Sequence, residues 1–284
     1  MFKLILTGAA LGLLGSTLGC SSEGDSGTTG KIIVLGTRVD VGPDLSESTT
    51  NALGWDVTLT RAYLSVGPLY YYQGDPVLSQ RRELSDGWRG RLAWMGDLLI
   101  PPAYAHPGHY IPGAAMGQML TPTTLDLLEG SVDLADGEGV TGPTNSAEFT
   151  WQSPPEGDLA DALEDHVILT EGVATKGSTT VGFIATADES EVHDGDDQAK
   201  VSGCSFGSEP GEVGVDMDGD GTVTLTVVPS VWFDQVDFSY VASGTEGAPE
   251  PNSDGVVDLR GTLAFQGFLR GVKKGTAYLF SYSH

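Results

Sequence analysis

The chain has 284 residues and carries 14 Lys+Arg against 39 Asp+Glu, a formal net charge of −25. So acidic a surface repels phosphates and excludes a nucleic-acid binder. The 40 glycines follow no three-residue period, which excludes a collagen-like fibre, while 39% hydrophobic and 8% aromatic residues supply a core and exclude a wholly disordered chain.

Met1-Phe2-Lys3 is followed by an apolar run of about 15 residues, 4–18. That length matches the core of a secretory signal peptide and falls short of the roughly 20 residues of a spanning helix. The run ends Ser16-Thr17-Leu18-Gly19-Cys20-Ser21-Ser22. This stretch resembles a bacterial lipobox, in which small residues precede a Cys that is lipidated and becomes the mature N-terminus. Gly19 and Cys20 fit, and Thr17 stands where the family usually has Leu. The resemblance implies a signal peptide over 1–19, lipidation at Cys20 and, with Ser21 rather than Asp after the Cys, an outer-membrane anchor. Residues 21–30 (SSEGDSGTTG) hold no large hydrophobe and read as a flexible tether. Residues 31–284 are then a single domain. Of the two cysteines, a lipidated Cys20 leaves Cys204 without an intrachain partner, so Cys204 reads as a buried small hydrophobe.

The domain reads mostly as strand. Residues 31–41 (KIIVLGTRVDV) and 55–66 (WDVTLTRAYLSV) alternate apolar and polar side chains, the period of a sheet with one wetter face. Residues 69–72, 146–151, 166–169, 179–186, 222–228, 236–241, 256–265 and 276–282 add β-branched and aromatic runs. Lys176-Gly177, Asp220-Gly221 and Lys274-Gly275 supply turns between them. The pattern predicts an all-β antiparallel sandwich with a few short helices. The helix candidates are 123–129, introduced by Thr121-Pro122 and closed by Gly130; 158–165; and 88–99, where Trp88, Leu92, Met95 and Leu99 recur at helical spacing. Residues 188–197 and much of 137–145 read as solvated loops.

Four constellations carry candidate chemistry. In 103–120 (AYAHPGHYIPGAAMGQML), His106 and His109 are followed by Met116 and Met119 on a proline-stiffened loop. Imidazole and thioether together suit copper. The alternative is a surface loop whose Met pair packs on the sheet. Asp216, Asp218 and Asp220, followed by Gly221, resemble the start of a calcium loop, yet its twelfth position is Val227, where the family has a bidentate Glu. A β-hairpin turning at Asp220-Gly221 is favoured there. Arg81, Arg82, Arg89 and Arg91 flank Trp88 and Trp94, a basic amphipathic segment that suits a membrane surface or partner, or packs as a helix against acidic loops. The acidic runs 156–165 and 188–197 suit loose cation collection or a plain repulsive surface.

The strand 55–66 and the segment 221–238 (GTVTLTVVPSVWFDQVDF) resemble the methanobactin-associated MbnP-like proteins, bacterial envelope β-proteins linked to copper. Members of that group often carry four cysteines, and this domain has one, so no ligand is carried over. No hydrolase elbow, zincin or phosphate-loop motif is present. The expectation is an outer-membrane-anchored lipoprotein acting as a non-catalytic binding module, with copper or another transition metal at the His/Met loop. The alternative is a structural or partner-binding envelope lipoprotein without a metal.

Overall fold

A computed structural model describes residues 30–42, 48–77, 110–193, 198–242, 245 and 247–284. The expected signal peptide, Cys20, nearly all of the expected tether, the helix candidate 88–99, Arg81, Arg82, Trp88, Arg89, Arg91, Trp94, His106 and His109 lie outside the described residues.

The first strand, β1 (Ile32–Val41), shows how the pattern becomes structure. Ile33, Leu35 and Val39 are buried, while Ile32 and Val34 between them are 76% and 54% exposed. Strand alternation thus sends one face inward and the other to solvent. β1 is followed by β2 (Thr49–Thr50), β3 (Asp56–Val66), β4 (Leu69–Tyr72), β5 (Ala115–Met119), β6 (Thr123–Asp126), β7 (Val132–Asp133), β8 (Gly137–Val140), β9 (Gly142–Thr144) and β10 (Ser146–Thr150). A four-residue helix, α1 (Ala160–Leu163), precedes β11 (His166–Lys176), β12 (Thr179–Asp188), β13 (Lys200–Gly207), β14 (Val215–Met217) and β15 (Gly221–Val227). The chain ends with α2 (Ser230–Phe233), β16 (Val256–Asp258), α3 (Leu263–Val272) and β17 (Tyr278–Ser283).

The all-β class stands, and the expected sandwich is corrected to a closed barrel. Strands run in the order β15-β17-β13-β10-β4-β5-β8-β1, and β1 then pairs with β15 to close the ring of eight. The closing pair is parallel, Leu35↔Gly221 to Val41↔Val227. A parallel seam between distant strands leaves no hairpin signal, so periodicity alone does not show it. A second sheet runs β16-β12-β11-β3-β2, with β6 also on β3. Its β11–β12 hairpin turns after Lys176, as the Lys176-Gly177 signal predicted, with Gly177 at φ +60°.

An eight-stranded barrel has an interior just wide enough for side chains to fill. Here aromatic rings fill it. Tyr71 lies 5.3 Å from Phe206 and 6.0 Å from Phe280, and Phe149 stacks on Tyr278 at 4.1 Å between centroids. Room for them comes from small residues opposite. A Cβ at Gly139 would approach Leu35 Cδ1 to 2.8 Å, and one at Gly117 would approach Tyr71 Cδ2 to 3.0 Å. The core continues outside the barrel. Phe183 packs on Phe233 and Phe238, and Phe233 on Phe268, tying the second sheet to α2 and α3.

Several local expectations change. The 123–129 helix is strand β6, because Thr123 and Thr124 pair with Val66 and Ser65 of β3. Part of 236–241 is a short 3-10 helix (Phe238–Tyr240) rather than strand. In 256–265 only Val256–Asp258 is strand, and α3 begins at Leu263, where the N-cap Thr262 hydroxyl accepts from Phe265 N–H at 3.1 Å. Much of 137–145 is β8 and β9, and β13 is an added strand.

Candidate functional site

The Met pair of the copper expectation is placed on β5. Gly117 pairs with Gly139, and a Cβ at either would meet inward-facing Leu35. Successive strand residues point to opposite faces, so Met119 shares the inner face with Gly117, and it is fully buried. Met116 is the extra residue of a bulge, since Gly117 pairs with Tyr71 and Ala115 with Tyr72; it is buried too, with its Cε beside Gly142. The segment 115–119 is strand rather than the expected loop, and His106 and His109 are outside the described residues. Among the described residues no group of three or more His, Cys, Asp or Glu side chains is placed to hold a metal.

The calcium-loop residues are likewise put to other use. β14 pairs with β9 and β15 with β1 and β17, so the favoured hairpin at Asp220-Gly221 is not formed. Asp220 Oδ1 instead accepts from Val34 N–H at 2.9 Å, replacing a ladder bond just before the parallel seam starts. The C-terminal His284 bonds Asp218 through Nε2 and the Asp220 carbonyl through Nδ1 at 3.1 Å. Tyr282 Oη donates to the Gly219 carbonyl at 2.7 Å. Both partners of the imidazole are acceptors, so only the imidazolium makes both bonds. The Asp218 bond raises the His284 pKa, helped by the Asp220 carbonyl, and the same bond lowers that of Asp218. Asp216 is on β14 and contributes no bond to this clasp among those formed by the described residues.

A second polar cluster joins the start of β11 and the end of β12 to Arg260, just before α3. His166 Nδ1 donates to Asp188 Oδ1 at 2.5 Å, and Arg260 holds both Asp188 oxygens at 3.1 Å. Partial burial pushes the Asp188 carboxyl up, but the bonds and charges of Arg260 and His166 outweigh it and set it below its ordinary value. Among the described residues no hydroxyl or thiol hydrogen-bonds His166, so no nucleophile–imidazole–carboxylate relay forms there. Cys204 is buried, and burial pushes its thiol up to about 12, away from the reactive thiolate.

The outer face of the barrel over β4, β10, β13 and β17 differs from all of these. Tyr70 and Tyr72 project from β4, and Tyr110 packs edge-on to Tyr72 with its hydroxyl 2.8 Å from Ser146 Oγ. Glu148 on β10 meets Lys200 Nζ at 3.1 Å, their side chains 11% and 18% exposed, and Ser202 Oγ donates to Glu148 at 3.0 Å. Burial raises the Tyr72 and Tyr110 phenols to about 12, with Glu148 adding to both, so both stay protonated.

Beside this cluster a cavity of about 520 Å³ opens over β13 and β17. Val77, Ser205, Lys274, Thr276 and Leu279 line it with Gly203, Gly211 and Gly275. Ser205 points outward because its neighbours Cys204 and Phe206 fill the core. Its Oγ is buried and has no hydrogen-bond partner, while the residue is only 8% exposed. An orphaned buried hydroxyl costs about 1–3 kcal/mol unless something bonds it. Gly203 (φ +70°) and Gly211 (φ +89°) hold backbone conformations that other residues rarely adopt, and at Gly203 the space of a Cβ is taken by Val77 and Tyr110. Nothing in the sequence pointed to Ser205. The available signal was weak: a lone polar residue between Cys204 and Phe206 in a run that also has Gly203 and Gly207.

Comparison with protein families, curated proteins and solved structures finds no match for this chain. No described helix is long and apolar enough to cross a membrane.

Proposed function

We propose that the chain is a lipid-anchored envelope protein whose barrel acts as a non-catalytic binding module, with its ligand site in the cavity over β13 and β17. The anchor rests on the sequence around Cys20. The binding reading rests on one observation: a cavity of about 520 Å³ walled by Val77, Ser205, Lys274, Thr276 and Leu279 on the outside of the barrel. The filled barrel interior leaves the outer face as the place for a ligand.

Two measurements test it. Labelled palmitate should enter the full chain and be lost in Cys20→Ala; equal labelling would refute the anchor. Native mass spectrometry of the purified full chain should show a small molecule that is released by Ser205→Leu, which narrows the cavity. A molecule retained by that variant would place the site elsewhere.

A further inference from the structure

We infer that the end of the barrel at which β1 begins rests on a lipid bilayer through Ile32, Val34 and Ile111. The inference rests on the reading of Cys20 as a lipid anchor and adds which face of the domain meets the membrane.

The pairings gather four strand ends there. Ile32 pairs with Val140 at the close of β8, Gly117 of β5 with Gly139, and Ala115 with Tyr72 at the close of β4. The segment before β5 stays at this end, since Gly74 N–H donates to the Pro112 carbonyl at 2.7 Å. Ile32 and Ile111 are the two most exposed large hydrophobic side chains among the described residues, each at 76%, and both lie at this one end. Val34 shares the outer face of β1 with Ile32 and is 54% exposed. A groove of about 350 Å³ runs from Ile32 across β8 to β5, lined by Val140, Ala115 and Met116 with Gln118 and Glu138 at its side. Single exposed hydrophobes are ordinary, whereas a group of them rimmed by polar residues marks an interaction surface. The opposite end of the barrel is occupied. Gly67, between β3 and β4, donates to the Thr150 carbonyl at 2.9 Å, and Val228, on the way to α2, donates to the Ala277 carbonyl at 2.9 Å.

The occupant follows from the chain that leads into β1. Lys31 is 11 residues on from Cys20, along a Gly/Ser-rich stretch. A chain of that composition and length spans roughly 18 Å on average and about 40 Å at full stretch. The ten residues of β1 alone cover about 33 Å. A lipid on Cys20 therefore holds the Ile32 end nearer the headgroups than the far end. Lys31 is exposed beside Ile32, where its stem can lie along apolar surface with the ammonium among phosphates. The two carboxylates set against Val34 are engaged within the protein: Glu138 accepts from Gln118 Nε2 at 3.0 Å, and Asp220 from Val34 N–H at 2.9 Å. The net charge of −25 repels anionic headgroups, so the surface that fits is a zwitterionic one.

The test uses the lipidated full chain in phosphatidylcholine vesicles, with a nitroxide on Ile32→Cys, on Ile111→Cys or, in the second sheet, on Val173→Cys. The buried Cys204 thiol does not compete for the label. Collisions with oxygen, which concentrates in lipid, and with a nickel chelate, which stays in water, report depth. Labels at 32 and 111 should favour oxygen, and the label at 173 should favour nickel. Melting curves matched to the parent chain verify that each variant is folded, and palmitate content of the same preparation reads the anchor separately. A palmitoylated chain whose labels at 32 and 111 favour nickel as much as the label at 173 would overturn the membrane face and leave the anchor standing. Labels at 32 and 111 shielded from both reagents would point to a second copy on this face and overturn the lipid occupant. A chain without palmitate would overturn both readings.

Discussion

The inside and the outside of the barrel solve opposite problems. Inside, Tyr71, Phe149, Phe206, Tyr278 and Phe280 are fully buried, and glycines opposite them take up the volume. Outside, over β13 and β17, the same strands leave a cavity walled by Val77, Ser205, Lys274, Thr276 and Leu279. Alternation along β13 produces both: Cys204 and Phe206 go in, and Ser205 goes out. A closed eight-stranded ring is not by itself a container. What fills its lumen decides whether a ligand is held within it or against it.

The comparison breaks most sharply at the filled lumen. Phe149→Ala removes a buried ring from contact with Tyr278 and Trp151 and should cost about 3–5 kcal/mol, read by urea unfolding. Retained stability would mean that the lumen is looser than described. Gly139→Ala puts a Cβ 2.9 Å from the Met116 carbonyl and should cost about 1–3 kcal/mol by the same measurement. A neutral outcome would show that β5 and β8 yield easily.

The C-terminal clasp gives a smaller, pH-dependent effect. The His284 pKa is raised, so its contribution is full below the ordinary 6.5 and fades as pH rises through the higher folded value. The Asp218 pKa is lowered, so its contribution is full above the ordinary 3.8 and fades as pH falls through the lower folded value. The stability gap between the parent chain and His284→Ala should therefore be widest between those two values and narrow in alkali. A gap independent of pH would remove the ionic clasp. The smallest effect belongs to the outer face. Ser205→Ala should leave the unfolding midpoint unchanged or slightly higher, because it removes an orphaned hydroxyl rather than a bond. A large loss of stability there would mean that Ser205 is bonded within the protein.

The strand content was legible because alternation along 31–41 and 55–66 reports one buried face directly. Closure was not, because the β1–β15 seam joins Leu35 to Gly221 and depends on pairing rather than on either segment's own pattern. α3 was missed where Phe265, Phe268, Leu269 and Val272 recur at helical spacing, since β-branched Val256 and Val257 dominate the same window. The Met pair was not legible as packing, because Met116 is the extra residue of a bulge opposite Tyr71 and Tyr72, which spacing alone does not show. The Asp216–Asp220 run announced carboxylates correctly but not their partners, which are Val34 and His284, far away in sequence. Ser205 was the least legible, because an unpaired hydroxyl is a property of packing.

The central claim is that a filled lumen places ligand binding on the outer face at β13 and β17. Amide hydrogen exchange of the full chain with and without the small molecule seen by native mass spectrometry tests it directly. Protection should rise at 203–205 and 274–279 and stay unchanged along β1 and β4. Protection gained along β1 and β4, with none at 203–205 or 274–279, would put the ligand inside the barrel and contradict the account.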